Sequence, residues 1–166
     1  MPKGKLKVSD KEWKTVKRRL TTKQTQTQVG WFNVFYPEEN DYLPVAQVAK
    51  WNEEGHANGG LFAGTRTPPR PFLRTTFIYG IELYLQDFAN IFAAAVADGR
   101  MTWHEVGNKI GENAKDILQD VIDIKNAPPN SKTTVEMKGF NNPLIEAGYM
   151  RDTISWQIKA KRKRAV

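Results

Sequence analysis

Two stretches of the chain repeat apolar residues at helical spacing. Trp103, Val106, Ile110, Ala114, Ile117, Val121 and Ile124 step by three or four along one face, the spacing of an amphipathic helix laid on a core. Thr102 and Glu105 form a capping-box pattern at its start, Met101 and Val106 the matching hydrophobic staple, and Ala127-Pro128-Pro129 ends it. A second long helix is predicted from Phe72 to a stop at Gly99. Its stripe runs through Phe77, Ile81, Leu85, Phe88, Phe92 and Ala95. A shorter helix opens at Ser9, with Glu12 completing a capping box and Val8 with Trp13 a staple. Trp13, Val16 and Leu20 form its apolar face and are expected in the core.

Elsewhere the pattern changes period. Val29 to Tyr36 (VGWFNVFY) is aromatic and β-branched and reads as a strand, closed by Pro37. Ile154, Trp156 and Ile158 alternate with polar residues and predict a second strand, Thr153 to Lys159. The Thr/Gln run 21–28 has nothing apolar to bury and reads as a connector. Glu38 to Leu43 is a polar turn, and Pro44 to Glu54 a short helix with Pro44 at its start and Gly55 at its end. Residues 55–71, with four glycines and three prolines, and residues 128–143 read as long loops. No internal repeat or domain boundary breaks the series. The predicted fold is α+β: one domain over 1–166, a small, mostly antiparallel sheet against two long antiparallel helices, plus the N-terminal helix. A sheet this short leaves edges for a neighbouring subunit to complete.

Charge adds a second layer. Residues 1–23 hold nine Lys/Arg against Asp10 and Glu12, and the tail Lys159, Lys161, Arg162, Lys163 and Arg164 adds five with no acid. Residues 24–158 hold eleven basic and sixteen acidic residues, so the two ends together carry +12, the body between them −5, and the whole chain +7. Flexible basic ends are expected at about 1–8 and 159–166. A DNA-binding domain ordinarily carries its excess on the folded surface. The chain has no cysteine, so disulfides and thiolate zinc sites are excluded. No apolar run approaches the ~20 residues of a membrane span, and the basic start lacks the apolar stretch of a signal peptide. The chain reads as soluble.

Catalytic patterns are mostly missing. His104-Glu105 opens a helix, but the second histidine of a zinc H-E-x-x-H falls on Asn108. His56 and His104 read as ordinary surface residues. No Gly-x-Ser-x-Gly occurs, and the glycines of 55–64 lack the Lys-Ser/Thr of a phosphate loop. Glu136-Met137-Lys138 has the Glu-x-Lys form of some metal-dependent nucleases, for which Asp120 or Asp123 would supply the second carboxylate. The basic ends with five tryptophans keep a nucleic-acid-binding alternative open. The expectation is no enzyme, no cofactor and no metal.

Two loop signatures carry a resemblance. The first is Val48-Ala49-Lys50-Trp51-Asn52-Glu53-Glu54-Gly55, followed by Pro68-Pro69-Arg70-Pro71-Phe72-Leu73-Arg74. The second is Pro128-Pro129-Asn130-Ser131 with Thr134, Lys138-Gly139, and Asn142-Pro143-Leu144-Ile145-Glu146-Ala147-Gly148-Tyr149-Met150-Arg151-Asp152-Thr153-Ile154. In order and spacing, over roughly 8–158, they resemble the tail-completion (neck, or head–tail joining) proteins of tailed bacteriophages, including the virion-morphogenesis group. Ala147 stands where that family usually has threonine and Thr153 where serine is common; the basic tail lies outside the pattern. The resemblance implies a small virion subunit, made in the host cytoplasm, that forms a ring of six or twelve copies. The ring would meet tail terminator or tail tube proteins on one side and head-side adaptor or portal proteins on the other, with DNA passing through. Interface candidates are Arg66, Arg70, Arg74, Lys138 and Arg151, and the tail Lys159 to Arg164 would face DNA in the channel or an acidic adaptor.

Overall fold

The computed structural model describes residues 9–21, 25–37, 42–59, 63–125 and 127–160. The elements are α1 (Asp10–Thr21), β1 (Thr25–Gly30), α2 (Val45–Glu54), β2 (His56–Ala57), β3 (Arg66–Thr67) and α3 (Phe72–Thr76). α3 runs through a π-helical turn, Phe77–Ile81, into α4 (Glu82–Ala97). Then come α5 (Trp103–Ile124), α6 (Lys132–Lys138), α7 (Tyr149–Asp152) and β4 (Ser155–Ala160). The fold is α+β, as the sequence predicts.

α5 is the centre of the molecule. Its capping box forms as predicted: Thr102 Oγ1 accepts from the Glu105 N–H, and the Glu105 carboxylate accepts from the Thr102 N–H at 2.7 Å. Ala114, Leu118 and Ile122 are buried on it. One side of α5 receives the antiparallel pair β1–β4, in which Thr27 lies opposite Ile158 and Val29 opposite Trp156. Ile158 and Thr27 approach Gly107, and the Trp156 ring lies on Gly111. The opposite face of the sheet is polar, with Gln157 donating to Gln28 at 3.0 Å. α5 also packs on the long helix. Gly80 meets Ile117, while Phe92 and Val96 cluster with Val106, so the two helices are antiparallel. The main core joins Leu118 and Ile122 to Val45, Ala49, Phe72, Leu144, Met150 and Ile154. Burying each of its large side chains contributes roughly 1.5–3 kcal/mol.

The capping box yields a first prediction. Thr102→Ala is expected to cost about 1 kcal/mol, or about 3 °C in Tm by thermal unfolding. Hydrogen bonds from the Thr102 backbone and side chain hold the Glu105 carboxyl below the usual carboxylate range. A depressed carboxyl stabilises above its unfolded pKa and stops doing so as pH falls through its folded one. The gap between wild type and T102A should therefore narrow in acid.

Several sequence expectations are corrected. The first strand is Thr25–Gly30, not Val29–Tyr36: part of the Thr/Gln run read as a connector makes the strand, and the aromatic run leaves it. Gly30, at φ 147°, ends the strand, a backbone angle that disfavours a side chain. Trp31 then turns inward; its indole N–H donates to the Met150 carbonyl at 2.7 Å and its ring meets Phe72 edge-on. Tertiary burial of aromatics overrides strand propensity here. The second strand starts at Ser155, because Thr153 still closes α7. The loop 128–143 contains α6, capped by Ser131, whose hydroxyl accepts from the Thr134 N–H, and ended by Gly139 at φ 77°. The loop 55–71 contains the short β2–β3 ladder.

The helix stripes are also corrected. Trp13 is 59% exposed, Leu20 is exposed and α1 buries no residue. In the long helix Phe92 and Ala95 are buried, but Phe77 is 62% exposed and Phe88 is exposed too. The wider winding of the π turn breaks the 3.6-residue register between Phe77 and the α4 residues; Phe88, within α4, packs on Tyr84 and Phe92 while staying exposed. The Ser9–Glu12 capping box forms; Val8 of the predicted staple lies outside the described residues.

Candidate functional site

The two loop signatures meet in space. Glu53, in the last turn of α2, places its carboxylate on the free N–H groups of Leu73 and Arg74 at 2.8 and 3.2 Å. Pro71 supplies no side-chain cap there, so an acid from another helix satisfies the first turn of α3 and complements its dipole. The Arg70 N–H bonds the Asn52 carbonyl at 2.7 Å. The Arg70 side chain crosses to the second signature: Nε donates to Pro128 O at 3.0 Å, and Nη2 to Pro129 O and Asn130 Oδ1 at 3.3 Å each. Asn130 N–H in turn donates to Asn141 Oδ1. Lys138 donates to the Asn142 and Ile145 carbonyls and lies 4.8 Å above the Phe140 ring. Arg151 holds Asp123 at 2.6 Å and Asp152 at 2.9 Å.

Electrostatics follow this packing. Burial pushes the pKa of Arg70 down, though an arginine stays charged at physiological pH. Burial also lowers Lys138, opposed by Glu146 and reinforced by the charge of Arg70. Asp123 and Asp152 raise Arg151.

The candidate residues therefore divide. Arg70 is 6% exposed, and it, Lys138 and Arg151 make their bonds within the chain. The expectation that Arg70 reaches an acidic neighbour is corrected: its fork is filled by loop carbonyls. Arg66, Arg74 and Lys159 are exposed. Lys161, Arg162, Lys163 and Arg164 lie outside the described residues. Glu136 is exposed on α6, and Lys138, two positions on, does not share its helix face. Among the described residues no group of three or more His, Asp or Glu side chains is placed to hold a metal ion. His56 departs from the surface reading: its ring lies against Trp51 at 5.5 Å, and its Nδ1 is buried with no hydrogen-bond partner. His104 is exposed beside Asn108.

The feature missed by sequence reasoning is apolar. The π turn and the start of α4 leave Phe77, Ile78, Tyr79 and Leu83 in solvent, with Tyr79 72% exposed. The signal was present: Phe77 to Ala97 is apolar nearly all round, whereas a helix with one buried face needs only a stripe. Among the described residues no helix is long and apolar enough to cross a membrane. Comparison with family models, with curated proteins and with solved structures returned no match.

Proposed function

We propose that this chain is a structural virion subunit of the phage neck. In this reading it forms a ring that completes the tail or joins it to the head, and acts by docking, without turnover. The observation that carries the reading is the exposed aromatic and aliphatic surface at Phe77–Leu83, since a contiguous apolar patch on a soluble subunit marks a contact with another protein. Two features support it. The signatures that resemble the neck proteins form one hydrogen-bonded knot from α2 to the Pro128–Ile145 loops. That knot makes a rigid frame on which a contact surface is held. Among the described residues the pair β1–β4 also has no third strand on either outer edge, and such edges can accept strands from neighbours. In the ring, tail terminator or tube proteins and head-side adaptor or portal proteins are the expected partners, with the basic tail turned to DNA or to an acidic adaptor.

Electron microscopy of particles assembled without this gene product tests the proposal. Filled heads and separate tails are expected, rejoined when the purified chain is added. Joined, infectious particles in its absence would sink it.

A further inference from the structure

The fold leaves two unlike surfaces uncovered within the chain. The first is the π-turn face, Phe77, Ile78, Tyr79 and Leu83. Between Arg74 and Arg100 the sequence has no Lys or Arg, and the acids there before Asp98 are Glu82 and Asp87, both exposed. The second is α1. Trp13 and Leu20, seven residues apart and so on one helical face, are exposed; Lys14 and Lys17 flank that face, and the helix as a whole carries five Lys/Arg against Asp10 and Glu12. A helix of this length is marginal in water unless its apolar face is packed. Within the chain α1 is tied down at its C-terminal end, where Arg19 donates to the Ala97 carbonyl and accepts from the Trp103 indole. One surface is apolar and acidic, the other apolar and basic.

These surfaces cannot meet inside one chain. With Arg19 held at Ala97, Trp13 lies six helical residues, about 9 Å, from that anchor, whereas Tyr79 lies eighteen residues, about 27 Å, along its own helix. We propose that α1 of one copy docks on the π-turn face of a second copy. Trp13 and Leu20 then cover Phe77, Tyr79 and Leu83, and Lys14 and Lys17 face Glu82 and Asp87. The contact rests on the reading of the chain as a self-assembling subunit and names the residues through which it does so. Because the two surfaces differ, the contact is head-to-tail, the kind that repeats and closes into a ring. It also accounts for an N-terminal helix that buries nothing of its own.

The chain has no cysteine, so engineered thiols report the contact directly. Full-length W13C and Y79C chains, each checked for folding by circular dichroism, are mixed at high concentration under mild oxidation. A W13C–Y79C disulfide dimer in excess of either homodimer is expected, and the doubly substituted chain should give a ladder of linked copies. Reversing charge with K14E/K17E should abolish the ladder, and E82K/D87K in the same chain should restore it. Predominant Y79C homodimers would overturn the proposal in favour of a two-fold contact. Monomers alone would overturn it as well, leaving the face to another protein or to residues 1–8. Rings seen by electron microscopy without the W13C–Y79C bond would overturn this contact and leave the assembly reading standing. Joined particles made without the chain would remove that reading.

Discussion

Arg70→Ala is expected to lower stability by about 3 kcal/mol, near the upper end for a single substitution. The guanidinium is the donor to three acceptors on the Pro128–Asn130 loop, two of them main-chain carbonyls. Removing it leaves those acceptors unpaired near the core that contains Phe72, and unsatisfied buried groups cost more than the net worth of a hydrogen bond. Arg70→Lys should recover less than half of the loss, because a single ammonium cannot span Pro128 O and Pro129 O as a planar fork does. Urea unfolding reads the effect as a shift in midpoint at constant slope. Arg66→Ala and Arg74→Ala, at exposed positions, should each stay within about 0.5 kcal/mol of wild type. If Arg70→Ala behaved like them, the two signature loops would have to dock by packing alone.

Gly111→Ala should destabilise by about 2 kcal/mol, although alanine favours a helix by about 1 kcal/mol over glycine. A Cβ at this position would lie 2.5 Å from the Trp156 Cγ and 3.0 Å from its Cβ. The Trp156 Cβ stays in place under any χ1 rotation, and swinging Cγ aside would lift the indole out of its seat on α5. Relief requires shifting β4 off α5 and stretching the 3.3 Å bond from the Trp156 indole to Asn108 Oδ1. Gly107→Ala is the matched control one turn earlier. Its nearest neighbours are the tip of Ile158 and the Thr27 hydroxyl, both at 3.1 Å, and it should change stability by less than about 0.5 kcal/mol as the gain in propensity offsets a small displacement. Equal losses at both glycines would mean that the sheet can move on α5 as freely at Trp156 as at Ile158.

Both glycines lie on the helix whose sequence was easiest to read. The α5 box at Thr102 and Glu105, its stripe at Val106 and Ala114 and its end before the prolines appear in the fold. Further along, the stripe is corrected: Leu118 and Ile122 are buried, one position past the predicted Ile117 and Val121, and Ile124 is 74% exposed. α2 likewise runs from Val45 to Glu54 between Pro44 and Gly55. Arg70, an interface candidate in the sequence, joins two loops of its own chain.

What the sequence determined alone is the set of relations that close within one turn of chain: caps, the Met101–Val106 staple, helix ends and the opening turns of the α5 stripe. These are interactions between residues three or four apart, so local composition is enough to specify them. The tertiary structure decided the rest. Residues 25–28 of the Thr/Gln run became a strand because β4 lies beside them, 129 residues away at the Gln28–Gln157 bond. The aromatic run after Gly30 was drawn inward by Met150 and Phe72, and Arg70 found its acceptors 58 to 60 residues further on. The exposed π-turn face was decided in the same way, by how closely Gly80 could approach Ile117. Such partners are chosen by packing in three dimensions, and no periodicity along the chain records them.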